Sequence, residues 1–350
     1  MDMQAIWRGG GDRLVCAAIR DEAPGVKTFR FVPASGSRIV FDPGQFLTIA
    51  VPLGDEAAWR SFTIASSPLR GDGVDLTIKA QAGGRATRWL HDSLAPGMSL
   101  ESRPPAGSFR LAAAPDRPLV LVSAGSGATP MAAILRWLAD RDLRVPVHHV
   151  HVGRTREDLL FREELTDLAH RIGTWRLDWI VTRGAPEPGI LAGRPEAGFW
   201  TTLIPSLRDA EVFACGPGAF MSAVAAAHRT TGAATARFHQ ESFGTEAPTA
   251  APPAVLPSEA AGAEQLARFL PSGREAMVRS GESLLDAALR VGVRIPNSCR
   301  QGICGTCRVR KVSGEVSMTH AGGISDEEIA DGDILACCAH PQGPVTLKVS

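Results

Sequence analysis

The 350-residue sequence predicts a multidomain fold: an antiparallel β barrel or sandwich, an α/β domain on a parallel sheet, and a small third domain behind a linker. Three observations predict it. Short apolar-rich runs bounded by Gly, Pro or Asp fill residues 1–112. From 113 to 244, strand-like and helix-like runs alternate. Residues 245–263, TEAPTAAPPAVLPSEAAGA, are rich in Pro and Ala without periodicity, which makes a semi-extended linker into residues 264–350.

In the first domain, KTFRFVP, FLTIAVP, RSFTIASSP and VDLTIKA are the strands, spaced as in a barrel or sandwich. In the second, PLVLVSAG is a buried strand and TPMAAILRWLADR an amphipathic helix with Pro130 in its first turn. VPVHHVHV is a strand, REDLLFREELTDLAHR a helix and RLDWIVT a strand. EVFACGPG is another strand, running into the Ala-rich helix around AFMSAVAAAHR. In the third, ARFLPSGREAMVR is a hairpin, SLLDAALRVG a short helix stopped by Gly292, and PVTLKVS a final strand.

Composition narrows the function. Lys plus Arg number 37 and so do Asp plus Glu, so the basic footprint of a nucleic-acid binder is absent. No apolar run of about 18 residues predicts a membrane span. The N-terminus MDMQAIWRGGGDRL lacks the apolar core of a signal peptide, so a cytoplasmic location is expected. Five of the seven cysteines lie between Cys299 and Cys338. In a large cytoplasmic chain that concentration indicates a metal or redox site rather than a disulfide scaffold.

The stretch SCRQGICGTC carries Cys299, Cys304 and Cys307 in a C-x4-C-x2-C pattern. Structural zinc usually takes two CxxC-type pairs, and no second pair exists; the adjacent Cys337 and Cys338 suit a tetrahedral site badly. A redox pair of Cys304 and Cys307 leaves Cys299 unexplained. The pattern is that of a plant-type [2Fe–2S] centre, whose fourth cysteine is distant. Gly302 and Gly305 supply the backbone freedom for a loop that wraps a cluster closely. A colourless zinc-stapled binding module is the alternative that an absorption spectrum separates.

IPNSCRQGICGTCRV together with ILACCAHP resembles plant-type ferredoxins over about 266–350. The resemblance implies a β-grasp domain and makes Cys337, rather than Cys338, the fourth ligand, because Leu335, Cys337 and Pro341 fall on the ferredoxin L-x-C-x-x-x-P run. Cys338 is then a spare, buried thiol. A [2Fe–2S] centre takes electrons singly and nicotinamides give them in pairs, so a flavin converter is expected upstream.

Residues 1–243 resemble the ferredoxin–NADP reductase family. RSFTIASSP matches its R-x-Y-[ST] flavin motif, which implies FAD contacts for Arg60, Ser61, Phe62 and Thr63, with Phe62 standing where Tyr is usual. GGRATRWLHDSLAPG resembles the second flavin segment and implies phosphate contacts at Gly84 and Thr87, at a helix N-terminus that favours an anion. PPAGSF resembles the barrel-closing segment. SAGSGATP resembles the nicotinamide-nucleotide turn and implies Gly125, Ser126, Gly127, Thr129 and Pro130; HVGRTREDLLFREEL adds Arg154. FACGPGAFM implies Cys215 beside the hydride-carrying carbon, with Gly216 and Pro217. RFHQESFGTE implies Glu241, and Phe243 near the flavin. Thr182 and Arg183 occupy the position where a Ser–Arg pair grips the 2′-phosphate in NADPH users, yet the domain order points to NADH.

The domain order resembles reductase components of Rieske-type oxygenases and demethylases, phenylacetyl-CoA oxygenase reductases and hybrid-cluster-protein reductases. It implies an enzyme that passes hydride from NAD(P)H to FAD and single electrons through [2Fe–2S] to a protein acceptor, foremost an oxygenase component. A hybrid-cluster protein, or direct diaphorase-like reduction of small acceptors, is the alternative. HHVHV reads as strand residues rather than a metal site. SDEEIADGD reads either as a docking patch for a basic partner or as a helix start, with Ser325 as N-cap and Glu328 three residues on.

Overall fold

In the computed structural model, residues 5–9, 11–54, 56–241, 264–295, 302, 307–320, 324 and 326–349 are described. The chain divides into two compact units, Met1–Phe243 and Gly244–Ser350.

Six strands open the first unit: β1 (Leu14–Ala23), β2 (Val26–Pro33), β3 (Phe46–Leu53), β4 (Glu56–Thr63), β5 (Val74–Lys79) and β6 (Ser99–Leu100), with helix α1 (Arg85–Asp92) between the last two. The ladder runs β5-β2-β1-β6, and β3 pairs with β4. Single bridges, Ile49↔Ser102 beside β6 and Ile64↔Leu76 onto β5, join the two pieces into a barrel. Closure removes free edges, and Phe29, Phe31, Leu47, Ile49 and Leu76 fill the interior.

The second half of this unit holds β7 (Leu119–Ala124), α2 (Ala128–Asp140), β8 (Val147–Gly153), α3 (Arg162–Ile172), β9 (Trp175–Val181), β10 (Ile190–Ala192), α4 (Ala197–Leu203), β11 (Glu211–Cys215), α5 (Gly218–Thr230) and β12 (Phe238–Glu241). Its parallel sheet has the order β10-β9-β8-β7-β11-β12. Every residue of β8 is buried, as expected for a central strand covered on both faces.

Two sequence expectations need correction here. α2 is not amphipathic: every residue from Ala128 to Ala139 is buried. The sheet covers one side of it, and Ala65, Phe109 and Leu111 of the barrel belong to the same core as Met131, Leu135 and Leu138. The helix expected over REDLLFREELTDLAHR begins only at Arg162. Before it, Phe161 takes a left-handed backbone at φ 60°, which an aromatic residue adopts only under strong surrounding constraint.

The second unit contains β13 (Gln265–Leu270), β14 (Arg274–Val278), α6 (Leu284–Arg290), β15 (Arg308–Ser313), β16 (Val316–Met318), α7 (Asp326–Ala330), β17 (Asp333–Leu335), β18 (Ala339–Pro341) and β19 (Val345–Lys348). A mixed sheet of order β14-β13-β19-β15-β17 packs against α6 through Leu284, Leu285, Ala287 and Ala288. Ser283 caps α6 by accepting from the Asp286 N–H at 3.1 Å. Gly292 follows at φ 74°, stopping the helix where the sequence places its end. Among the described residues no helix is long and apolar enough to cross a membrane.

Candidate functional site

The segment expected to contact the flavin lies at the end of β4. Arg60 is exposed, Ser61 and Phe62 are half-buried, and Thr63 is buried. Register with β3 fixes them, Leu47 opposite Phe62 and Phe46 opposite Thr63, and Ser61 Oγ lies 2.9 Å from Thr48 Oγ1. The Thr63 hydroxyl has no hydrogen-bond partner. A buried orphan of this kind costs about 1–3 kcal/mol, and a ligand that supplied a partner would recover it. At α1, Gly84 occupies the N-cap. The Thr87 hydroxyl accepts from the Gln81 N–H at 3.1 Å and donates to the Gly84 carbonyl at 3.2 Å. It closes the turn from which α1 starts.

The turn expected to contact the nucleotide follows β7. Gly125–Gly127 form one tight turn, and α2 starts without a side-chain cap. The Thr129 hydroxyl donates to the Ser126 carbonyl at 3.0 Å and Pro130 sits in the first helical turn. At Gly127 a Cβ would lie 2.1 Å from the Cys215 carbonyl oxygen, so only glycine lets the turn approach the end of β11. A Gly127→Ala substitution therefore pushes backbone against backbone. A loss of about 1–3 kcal/mol in thermal melts is expected, with a raised KM for the coenzyme.

Register brings a row of buried side chains across the carboxyl ends of the strands, where α/β ligands bind. Trp179 pairs with His151, His151 with Ser123, Ser123 with Cys215 and Cys215 with Glu241. One Glu241 carboxylate oxygen lacks a partner, and burial pushes the pKa of the group up to about 8. Burial, then Glu241, holds the Cys215 thiol well above its ordinary value. Ser123 Oγ lies 2.8 Å from His151 Nδ1 and 3.3 Å from His149 Nε2. Burial pulls His151 down to about 4 and His149 well down, so both rings are neutral around pH 7. His148, on the opposite face, lies 2.7 Å from Asp178. Gly216 and Pro217 lead from β11 into α5. Arg154 follows β8, and two bonds clasp that end to the end of β9: Thr182 N–H to the Gly153 carbonyl at 3.0 Å and Arg183 N–H to the Arg154 carbonyl at 2.7 Å.

In the second unit, Gly302 N–H donates to Cys337 Sγ at 3.3 Å. Gly302 has φ 69°, and a Cβ there would lie 2.9 Å from Cys338 Sγ. Cys307 is buried; Cys337 and Cys338 are half-buried, so Cys338 is less enclosed than the sequence suggested. Hydrogen bonds from Cys307, then Cys338, pull the Cys337 thiol down from its ordinary value. Cys299, Cys304, Phe243 and Ser325 lie outside the described residues. The Glu328 carboxylate pairs with Arg308 on β15, and Asp333 with Arg310 at 3.3 Å, so part of the acidic run is neutralised within the domain.

Three domain families match in order: the oxidoreductase FAD-binding domain over 17–111, the oxidoreductase NAD-binding domain over 121–226 and the 2Fe-2S iron-sulfur cluster binding domain over 268–342. The glycine betaine monooxygenase reductase subunit of Chromohalobacter salexigens is 35% identical over 360 residues, covering 98% of this chain and 96% of the relative. The chain belongs to the NAD(P)H-dependent flavin reductases that carry a C-terminal plant-type [2Fe–2S] domain. The stachydrine N-demethylase reductase subunit Stc4 of Rhizobium meliloti is 38% identical over 342 residues, covering 96% of each chain. Phthalate dioxygenase reductase shares the fold at TM-score 0.62 and 24% identity, covering 97% of each chain.

For a reductase of this family the residues present fit the groups it binds. Thr63 and Glu241 each offer a buried polar atom without a partner, Gly127 lets the turn after β7 close on the end of β11, and Cys307 and Cys337 approach each other. Sequence reasoning overlooked Ser123, which stands directly beside Cys215, and Arg136, buried on α2. The signal for Arg136 was one charge inside the apolar run AAILRWL.

Proposed function

We propose that this reductase delivers electrons to an oxygenase component that demethylates a small quaternary amine, and that it works in the cytoplasm on NADH. When bound, FAD takes hydride from the nicotinamide and gives electrons singly to the [2Fe–2S] cluster. In this reading Arg60 pairs with the flavin pyrophosphate, the rings of Phe62 and Phe243 pack on the flavin, and Ser61 and Thr63 stand at its polar edge. Gly84 and Thr87 shape the phosphate-facing turn. Gly125, Ser126, Gly127, Thr129 and Pro130 cradle the coenzyme, with Arg154, Thr182, Arg183, Gly216 and Pro217 around it. Cys215 and Glu241 bracket the reacting carbon and keep water out. Cys299, Cys304, Cys307 and Cys337 hold the cluster.

The observation that carries this reading is the meeting of Gly127, Cys215 and Glu241 at one edge of the sheet. The near full-length likeness to betaine and stachydrine reductase subunits supports the choice of acceptor. Anaerobic titration tests the reading: NADH bleaches the flavin and cluster bands, NADPH does so more slowly, and adding a purified betaine-type oxygenase restores the colour. Bleaching with no transfer to that oxygenase leaves a different acceptor.

A further inference from the structure

Arg136 is a charged side chain in the middle of the most enclosed helix of the first unit, with only 4% of it exposed. Its guanidinium uses every edge. Nε and Nη2 donate to the two carboxylate oxygens of Glu164 on α3, at 2.8 and 2.5 Å. Nη1 donates to the main-chain carbonyl of Ala65 at 2.7 Å. The flat face lies over the Phe161 ring, 4.7 Å from its centroid. Phe161 is the residue with the left-handed backbone, so the ring that covers the guanidinium is set by a conformation that costs about 1–3 kcal/mol.

Ala65 matters because of where it is. It lies two residues past Thr63, at the end of the flavin-facing strand. Arg136 belongs to the helix whose first turn follows the coenzyme cradle. One rigid, forked group thus ties the flavin edge to the helix that carries the coenzyme turn, and α3 holds it from behind. Besides the apolar core shared with α2, the other ion pairs between the barrel and the nucleotide domain are more exposed: Arg70 pairs with Asp140 at 3.0 Å with the arginine 48% exposed, and Lys79 lies 3.7 Å from Asp158. Exposed pairs contribute little and leave geometry loose. A bidentate pair whose guanidinium is enclosed, although the Glu164 side chain is 40% exposed, and which has a third bond to main chain, holds it more firmly.

We propose that Arg136 is a positioning residue for hydride transfer, a guanidinium strut that sets the spacing between the flavin edge and the nicotinamide cradle. It touches neither cofactor; it acts through the Ala65 carbonyl. The inference rests on the hydride-transfer reading above. Misplacement by about 1 Å at such a step costs on the order of 100-fold in rate.

The test uses the full chain loaded with FAD and cluster. Arg136→Met alone leaves the Glu164 carboxylate without its partner, so it is paired with the double variant Arg136→Met/Glu164→Gln, which removes both charges. Stopped-flow flavin reduction at saturating NADH is expected to slow by at least about tenfold, with KM nearly unchanged. The long-wavelength absorbance of nicotinamide stacked on flavin should weaken in parallel. Arg136→Lys, which keeps one donor for Ala65 but loses the fork, should restore part of both. The proposal is overturned if the variants melt at lower temperature while the saturated rate and the stacking band stay at wild-type values. If the methionine variants do not fold, Arg136→Lys is read by the same two quantities. Failure of the underlying reading looks different: the wild-type flavin itself is then not reduced by NADH or NADPH.

Discussion

Cys337→Ser yields a protein that keeps its flavin and loses its iron. Cluster absorbance and the signal of the reduced centre disappear, and cytochrome c reduction falls by at least about 100-fold. Flavin reduction by NADH continues, because the nucleotide domain and barrel form a separate unit. The reasoning starts from Gly302, whose N–H donates to the Cys337 sulfur and whose missing side chain leaves room for Cys338. Sulfur stabilised as thiolate by such bonds is the ligand form; a serine hydroxyl at the same place is a far harder, more basic donor. Cys338→Ser is the matched control and retains iron at wild-type stoichiometry. Iron and acid-labile sulfide analysis of both variants decides the point, and the reverse pattern makes Cys338 the ligand.

Glu241→Gln has the second large effect. In the wild type the carboxyl is buried at the end of β12 beside Cys215, and its pKa of about 8 keeps it protonated at neutral pH. A neutral carboxyl donates a hydrogen bond into the reaction space; an ionised one puts an unpaired negative charge there. Flavin reduction should therefore fall as pH rises through about 8. The amide cannot ionise and still donates a hydrogen bond, so it stands in for the neutral carboxyl: the rate at neutral pH changes little, the alkaline limb vanishes, and well above pH 8 the variant outruns the wild type by about tenfold per pH unit. Stability follows the same sign. The folded pKa lies above the ordinary value of 4.5, so folding is favoured fully below pH 4.5 and loses that contribution progressively up to about 8. At about 1.4 kcal/mol per unit, the loss is on the order of a few kcal/mol. Melting the apo-protein at pH 6 and pH 8.5 checks this: the wild type loses stability between the two and the glutamine variant does so far less.

Much of the architecture was legible because the local signals agree with the tertiary environment. The alternation of strands and helices from 113 onward translates directly into the parallel sheet, and the cysteine spacing points to the cluster loop. What sequence could not show depends on partners distant in the chain. α2 reads as amphipathic until the barrel covers its second side. The early start assigned to α3 fails because Phe161 adopts a backbone that no propensity scale favours. β10 and α4 went unnoticed, since three- and seven-residue elements carry too little periodicity. The Cys215–Glu241 pairing is a matter of register between two strands, and Thr63 looks like any strand threonine until its buried hydroxyl proves to have no partner.

The core that Ala65, Phe109 and Leu111 share with α2 has one more implication. Barrel and nucleotide domain each have an interior of their own, but this third, shared core couples their unfolding, whereas the C-terminal unit is built round its own set of apolar side chains. Heat should dismantle this chain in two cooperative steps rather than three. The iron-bearing module is then a detachable cartridge: its loss or exchange leaves the hydride chemistry intact, while any wound to the shared core disables coenzyme and flavin sites together.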